Sequence, residues 1–164
     1  MSSLNILVLV LNIGTVKIEL FEHDAPKHVA QIKKLTENHE YDGVVFHRVI
    51  DGFMAQTGDV KYGKHDNLNL GLVGTGQSNL PNIPAEFSTL AHVRGTVSMA
   101  RSNEPNSGNS QFFICFEDAR FLDNQYSVFG KVIEGMDVVD SIKRGNPHSG
   151  SVKEPDYIIK AYIE

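Results

Sequence analysis

The sequence predicts a mainly β fold, a closed antiparallel barrel with α-helices covering its openings. Short apolar or β-branched runs recur along the chain, separated by turn residues such as Asp51-Gly52 and Gly58-Asp59. Only two segments carry apolar residues at helical spacing. Seven or eight short strands in 164 residues favour a barrel, because closure removes exposed strand edges.

The strands follow from local patterns, in chain order. The apolar run Leu4 to Leu11 predicts a first strand, and Asn12 to Thr15 predicts a hairpin turn. The next strand shows period-2 alternation from Val16 to Leu20. Further apolar or β-branched runs predict strands at 44–50, 97–100, 111–116, 127–132 and 157–163.

Two helices interrupt the strands. The first is predicted from Ala25 to Asn38, with Asp24 as the N-cap residue and Pro26 in the first turn. The second is predicted from Met136 to Arg144 and is ended by Gly145.

The segment from 63 to 86 shows little periodicity and contains several glycines and prolines. Irregular segments of this length in a compact domain are usually functional or disordered. We expect this one to be an ordered loop that lies against a binding groove.

Composition excludes several classes of function. We expect one domain spanning residues 1–164, with a net charge of −5 and no basic patch for nucleic acid. No apolar run approaches the ~20 residues of a membrane span, and no signal peptide is evident, so we expect no membrane association.

Cys115 is the single cysteine and is expected to be buried, and no His or Cys spacing indicates a metal site. We expect a monomer without a cofactor. We expect His47 to be a hydrogen-bonded residue that lies either in the core or directly behind the functional site.

The first cluster of candidate functional residues surrounds Arg48. Strand alternation places Arg48 on the same face as Phe46, in an apolar run where an arginine needs a partner or solvent. Gln56 can supply a hydrogen bond, and Phe53 and Met54 can wall an apolar pocket. From this cluster alone, an arginine in a groove and an edge-strand arginine that reaches water are equally good interpretations.

The second cluster lies on the two strands around residue 105. Gln111 and Phe113 share one strand face, and a large aromatic beside an amide on a surface indicates peptide binding. Ordinary hairpin packing is the alternative. Phe121, Leu122 and Tyr126 lie close together around a turn and can cap a small hydrophobic hole.

Several linked segments resemble the signature segments of cyclophilins, a family of peptidyl-prolyl cis–trans isomerases. They occur in the family's order and spacing, and the resemblance covers nearly the whole chain. The segments are Phe46–Gln56, Ser98–Ala100, Asn109–Ile114 and Val128–Met136. The resemblance implies an eight-stranded antiparallel barrel closed by two helices, with the active groove on its outer surface, that isomerises Xaa-Pro bonds in folding proteins.

The resemblance also assigns roles by position. The catalytic positions are the arginine Arg48 together with Phe53, Gln56, Gln111, Phe113 and Leu122. The substrate-binding positions are Met54, Ala100, Arg101, Ser102, Phe121 and Tyr126. The implied partners are proline-containing peptides and unfolded proteins, with no metal or cofactor. The chain looks most like bacterial cytoplasmic members, which implies a cytoplasmic location.

Three positions depart from the common family pattern. The family often has tryptophan where Phe121 stands, and this chain has no Trp, so we expect weak cyclosporin binding. Tyr126 stands where histidine is common in eukaryotic members, and Arg101 replaces a frequent asparagine. The contact at Arg101 is through the main chain and should survive the replacement.

These residue types suit a reaction that makes and breaks no covalent bond. An apolar pocket can hold the proline ring, and the fixed donors of Arg48 can stabilise the prolyl nitrogen as conjugation is lost. Two alternatives remain open on the sequence. One is a proline-peptide binding chaperone or scaffold with little turnover. The other is an unrelated barrel with a ligand inside, which the bulky residues of the predicted strands argue against.

Overall fold

The computed structural model describes residues 5–164, and in that range it contains eight strands and two α-helices. The strands are β1 (Ile6–Leu11), β2 (Gly14–Leu20), β3 (Arg48–Ile50), β4 (Met54–Thr57), β5 (Thr96–Met99), β6 (Phe112–Cys115), β7 (Val128–Glu134) and β8 (Ile158–Ile163). The helices are α1 (Pro26–Glu37) and α2 (Met136–Asp140), and two short 3-10 turns span His65–Asn67 and Arg120–Leu122. Leu4, where the first strand was predicted to begin, lies outside the described residues. No helix between residues 5 and 164 has the length and apolar character needed to cross a membrane.

The strands form one antiparallel sheet in the order β3-β4-β6-β5-β7-β2-β1-β8. The sheet curls around an apolar core to which α1 contributes Val29, Ile32 and Leu35, all fully buried. Phe112 and Phe129 meet edge to face in this core, with ring centroids 5.8 Å apart. The prediction of eight antiparallel strands with two helices is confirmed.

The prediction of a closed barrel is wrong, because the continuous ladder ends at β3 and at β8. Between these two edges of the sheet, the described residues form isolated bridges instead of a ladder: Val45 with Tyr157, and Arg48 of β3 with Ser151. Pro155 has no N–H with which to extend a ladder there, and β3 has only three residues. The sheet is therefore a curled half-barrel.

The neighbourhood of β3 also differs from the sequence pattern. The strand predicted from Val44 begins only at Arg48, so period-2 alternation does not apply to the residues before it. Phe46 is fully buried in the main core, whereas Arg48 is half-buried and faces the outside, so the predicted shared face is wrong. The strand patterns did not identify β4, because four residues between a turn and a loop show too little alternation.

The start of α1 is capped by a distant residue. The N-cap position is Ala25, and no side-chain bond from Asp24 caps the helix, so that prediction is wrong. The carboxylate of Glu86 instead accepts bonds from the backbone N–H groups of Lys27 (3.1 Å) and His28 (2.9 Å). Glu86 thereby satisfies orphan donors of the first turn and fixes the end of the long loop on the helix.

The second helix is shorter than predicted. It ends at Asp140, not Arg144, and its C-cap is Ser141, whose N–H donates to helix carbonyls. The chain then turns, so that the Gly145 N–H donates to the Val49 carbonyl at 2.8 Å. Ile142 stays buried as the pattern predicted, although it lies beyond the helix.

Candidate active site

A cavity of about 600 Å³ lies on the outer face of the sheet, beside β3, β4 and β6. Most of the predicted site residues line it: Arg48, Phe53, Met54, Gln56, Ala100, Arg101, Phe113, Phe121, Leu122 and Tyr126. The other two, Ser102 and Gln111, line a neighbouring groove of about 410 Å³ that shares Gln56, Ala100 and Arg101 with the cavity. The structure therefore brings the whole predicted set to one region of the surface.

Strand alternation explains how two short strands supply this face. In β6, Phe112 and Ile114 enter the main core, so Phe113 between them faces the cavity. In β4, Ala55 enters the core, while Met54 and Gln56 on either side of it line the cavity. Residues 56 and 113 are paired across the two strands, which places the polar and the apolar group side by side.

The floor of the cavity is a small apolar cluster, separate from the main core. Its buried members are Met54, Phe113, Cys115, Ala119 and Leu122. The ring of Phe113 meets that of Tyr126 edge-on, with centroids 5.6 Å apart. Phe53 and Phe121 stand at the rim, also 5.6 Å apart, and Phe121 is 73% exposed. The cavity thus contains an apolar slot that is open to solvent on one side.

Cys115 lies beneath this slot, and its predicted burial is confirmed. Burial, together with the carboxylates of Asp118 and Asp123, raises the pKa of its thiol to about 12. A thiol in this state is almost wholly protonated at neutral pH and is therefore a poor nucleophile.

A chain of hydrogen bonds holds Arg48 at the edge of the slot. Its Nη1 donates to Gln56 Oε1 (3.2 Å), and its Nε donates to the Ser149 carbonyl (3.3 Å). Gln56 Nε2 donates to Gln111 Oε1 at 3.0 Å. Among residues 5–164, no carboxylate forms an ion pair with Arg48. The guanidinium is therefore oriented by neutral groups and keeps its positive charge available to a substrate.

The series of hydrogen bonds that begins at Arg48 ends at the long loop of residues 63–86. Gln111 Nε2 donates to the carbonyls of Gly74 (3.0 Å) and Gly76 (2.8 Å). Asp59, which is fully buried, accepts the N–H groups of the same two residues at 2.7 and 2.9 Å. A Cβ on Gly76 would lie 2.3 Å from Asp59 Oδ1, so only glycine fits there. The predicted position of the loop beside the groove is confirmed.

His47 lines the cavity, whereas the sequence predicted a hydrogen-bonded residue in the core or directly behind the site. Only 7% of it is exposed, and its Nδ1 has no hydrogen-bond partner in the described part of the chain, so the predicted hydrogen-bonded role is wrong for that atom. Burial lowers the pKa of His47 to about 4; the Asp59 carboxylate opposes this shift and the Arg48 charge adds to it. His47 is thus neutral at pH 7. No local pattern identified it, because its position depends on the loop that covers it.

Other lining residues come from loops with no sequence signal beyond their irregularity: Leu70, Val73, Gly74, Thr75, Ser149 and Ser151.

A buried histidine supports Phe113 from behind. His92 stacks on Phe113 with ring centroids 6.2 Å apart, and its ring nitrogens lie 3.1 Å from Asp123 Oδ1 and 2.9 Å from Ser98 Oγ. This set has the residue types of a hydrolytic triad. Ser98, however, is fully buried and its hydroxyl donates to the Ser127 carbonyl at 3.1 Å, so no substrate can reach it. We therefore interpret the set as a support for the slot.

The family profile and the relatives that match this chain all carry the same activity in their names. The profile of the family described as "Cyclophilin type peptidyl-prolyl cis-trans isomerase/CLD" matches residues 6–163. A Brucella suis protein named "Probable peptidyl-prolyl cis-trans isomerase" is 60% identical over 98% of this chain and 83% of its own length. The "Peptidyl-prolyl cis-trans isomerase" of Acinetobacter baylyi is 37% identical over 93% of this chain and 82% of its own.

Solved structures agree with these relatives. A cyclophilin from Hirschia baltica superposes with a TM-score of 0.82 at 30% identity, covering 97% of this chain and 73% of its own. A cyclophilin type isomerase from Cryptosporidium parvum, solved in the presence of the dipeptide Ala-Pro, has a TM-score of 0.82 at 26% identity. That comparison covers 97% of this chain and 98% of the other.

Proposed function

The chain belongs to the cyclophilin-type peptidyl-prolyl cis–trans isomerases, and from that premise we propose that Arg48 assists rotation about the Xaa-Pro bond without any covalent step. The protein is an isomerase that interconverts the cis and trans forms of this bond. The single observation that carries the proposal for Arg48 is its position: a guanidinium fixed by Gln56 and Ser149 at the edge of an apolar slot.

The chemistry of the bond explains why such a donor helps. Amide resonance sets a barrier of ~18–20 kcal/mol to rotation, and this resonance is lost as the bond twists. The lone pair then returns to the prolyl nitrogen, which becomes a better hydrogen-bond acceptor than in either planar form. A donor already aimed at this nitrogen binds the twisted state more tightly than the planar states, and only such differential binding lowers the barrier.

The slot supplies the second requirement, a fixed position for the ring. Met54, Phe113 and Leu122 present apolar surface of a size that suits a pyrrolidine ring, and Phe53 closes one side. The Cryptosporidium parvum relative was solved in the presence of Ala-Pro, which supports proline-containing peptides as ligands of this chain. We propose unfolded protein segments as the physiological source of such peptides.

The bonds beyond Arg48 serve orientation. Gln56 receives one bond from Arg48 and gives one to Gln111, and Gln111 gives two to the loop. An arginine side chain has many rotamers, and fixing one of them before substrate arrives removes an entropic cost from the catalysed step. We propose that Gln56 and Gln111 are positioning residues for Arg48.

We also propose weak cyclosporin binding, a monomer and a cytoplasmic location. Phe121 stands at the rim where many relatives carry an indole, and a phenyl ring has no N–H to donate. The likeness to bacterial cytoplasmic cyclophilins in the region of Arg101 supports the location. Sedimentation velocity tests the monomer, and fractionation of cells tests the location.

The test of the catalytic proposal is Arg48→Ala, assayed on a short Xaa-Pro peptide by protease-coupled absorbance. Removing one positioned donor typically lowers turnover about 100- to 1000-fold, equivalent to about 2.7–4 kcal/mol. The matched control is Arg94→Ala, because Arg94 pairs with Asp140 outside the cavity and should leave turnover near the wild-type value.

Near-normal turnover in a folded Arg48→Ala protein overturns the role of Arg48. A wild-type protein that binds the peptide but scarcely turns it over would instead favour the binding chaperone or scaffold. Peptide affinity is therefore measured beside the rate, by calorimetric titration of the same peptide.

A further inference from the structure

The surface around the site carries a charge opposite in sign to that of the whole molecule. The chain has a net charge of −5, yet the cavity and the neighbouring groove are lined by two arginines, Arg48 and Arg101, and by no aspartate or glutamate. The lining histidine, His47, is neutral at pH 7. A cleft lined by one sign of charge concentrates ligands of the opposite sign. The site therefore presents a positive surface to a peptide.

Three carboxylates lie on segments next to the lining residues, and each is engaged by other groups. Buried Asp59 accepts four backbone N–H groups, and Asp123 forms an ion pair with Arg120. Glu104 accepts the Asn106 N–H at 3.2 Å. Between residues 5 and 164, no carboxylate forms an ion pair with Arg101. Its charge is therefore not neutralised by an ion pair within that range.

Hydrogen bonds and an aromatic ring hold the Arg101 guanidinium in one place. Its Nε donates to the Gln125 carbonyl (2.7 Å) and its Nη1 donates to the Ser102 carbonyl (3.0 Å). Its central carbon lies 4.6 Å from the centroid of the Tyr126 ring. Its Nη2 donates to no group in the described part of the chain. A guanidinium that is already fixed and still has free donors binds a carboxylate at little ordering cost.

Arg101 lies where the cavity meets the groove. Together with Gln56 and Ala100, it lines both of them. The Tyr126 ring on which it stacks meets Phe113, a wall of the slot, edge-on. A peptide that passes from the slot into the groove therefore passes Arg101, whichever of its two ends lies in the groove.

We infer that Arg101 is a specificity-determining residue that favours substrates with an acidic side chain directly before or directly after the proline. The inference rests on the proposed binding of proline in the slot. The residues that flank the proline are the first to leave the slot, and one of them enters the groove beside Arg101. A glutamate there is ionised at neutral pH and gains an ion pair, whereas a glutamine of the same size gains none.

The test uses four peptides with blocked ends, Ala-Glu-Pro-Ala, Ala-Gln-Pro-Ala, Ala-Ala-Pro-Glu and Ala-Ala-Pro-Gln, assayed by exchange NMR. A partly exposed ion pair changes kcat/KM by about threefold to fivefold. We expect the wild type to prefer one glutamate peptide over its glutamine partner by this factor at low salt. Arg101→Gln should lose the preference, and Arg101→Lys, which keeps the charge, should retain part of it. Salt at about 0.5 M should reduce the preference, because it screens exposed charges.

The matched control is Arg94→Gln, which removes one positive charge outside the cavity and should keep the wild-type preference. Comparing the variants on the same peptides cancels any intrinsic difference between the peptides. Three results overturn the inference: no preference for either glutamate peptide in the wild type, a preference that persists in Arg101→Gln, or an equal loss in Arg94→Gln.

Dissociation constants for the four peptides, measured by NMR titration, test the same preference even if turnover is low. Failure of the proposed function is distinct, because it appears as absent turnover of all four peptides by the wild type.

Discussion

The buried carboxylate of Asp59 offers a sharp test of how the fold supports the site. Its Oδ1 accepts the N–H groups of Lys61 (3.0 Å) and Tyr62 (2.8 Å), and its Oδ2 accepts those of Gly74 (2.7 Å) and Gly76 (2.9 Å). Asp59→Asn changes one acceptor oxygen into an NH₂ group. Whichever way the amide is turned, two backbone donors then face a donor.

The loss in the free energy of unfolding caused by Asp59→Asn can be estimated from these hydrogen bonds. A hydrogen bond to a charged group contributes about 1.5–3 kcal/mol, so two lost bonds cost about 3–6 kcal/mol. This is comparable with the whole free energy of unfolding of a typical domain, about 5–15 kcal/mol. Because the Gly74 segment lies at the surface, it can detach at lower cost than global unfolding, and we expect local opening to limit the loss.

Detachment of the loop should lower kcat/KM, because Gln111 would lose its hydrogen-bond acceptors. Without the carbonyls of Gly74 and Gly76, Gln111 loses its anchor, and Gln56 and Arg48 lose their orientation in turn. A cost of about 1.4 kcal/mol in the transition state corresponds to a tenfold lower kcat/KM, and we expect at least about this loss.

Three measurements read this chain of effects: urea unfolding, amide hydrogen exchange at Gly74 and Gly76, and kcat/KM. Asp66→Asn is the control, because it makes the same charge change at an exposed residue of the same loop. Wild-type exchange rates and wild-type turnover in Asp59→Asn would refute the reasoning. Faster exchange with unchanged turnover would show that the loop does not orient Arg48.

Two further predictions concern His47 and Phe121. The unfolded chain protonates His47 near pH 6.5 and the folded chain only near pH 4, so stability should fall by about 3 kcal/mol as pH drops through this window. His47→Gln should reduce that pH dependence in urea unfolding; an unchanged slope would contradict the buried neutral state. Phe121→Trp adds an N–H at the rim and should tighten cyclosporin binding about tenfold in calorimetry, and equal affinities would disprove the role given to Phe121.

The elements that could be predicted from sequence are those whose signal is local. Alternation identified β2, and the spacing of Val29, Ile32 and Leu35 identified α1, because each pattern reflects one buried face. The motif around Arg48 also located the candidate site, and the structure gathers those residues at one cavity. Their catalytic roles stay predictions until the variants are measured.

The errors occur where a distant residue supplies what the local pattern lacks. Asp24 had the residue type of an N-cap, but Glu86 occupies that role from 58 or more positions along the chain. His47 had the pattern of a strand residue, yet the segment before β3 is held by isolated bridges, Val44 with Lys64 and Val45 with Tyr157. The prediction of a closed barrel was wrong for a related reason, because isolated bridges between the β3 and β8 edges do not form a continuous ladder.

The sequence by itself determined that the fold is mainly β with two helices, the family, and most residues of the candidate site, because periodicity and motifs are written in neighbouring positions. Only the tertiary structure decided how Arg48 is oriented, through a carbonyl 101 positions away and through an amide relay that ends on a loop 37 positions from Gln111. It also decided that Leu70 lines the cavity. Such contacts depend on how the chain returns to itself in space, which no local pattern specifies.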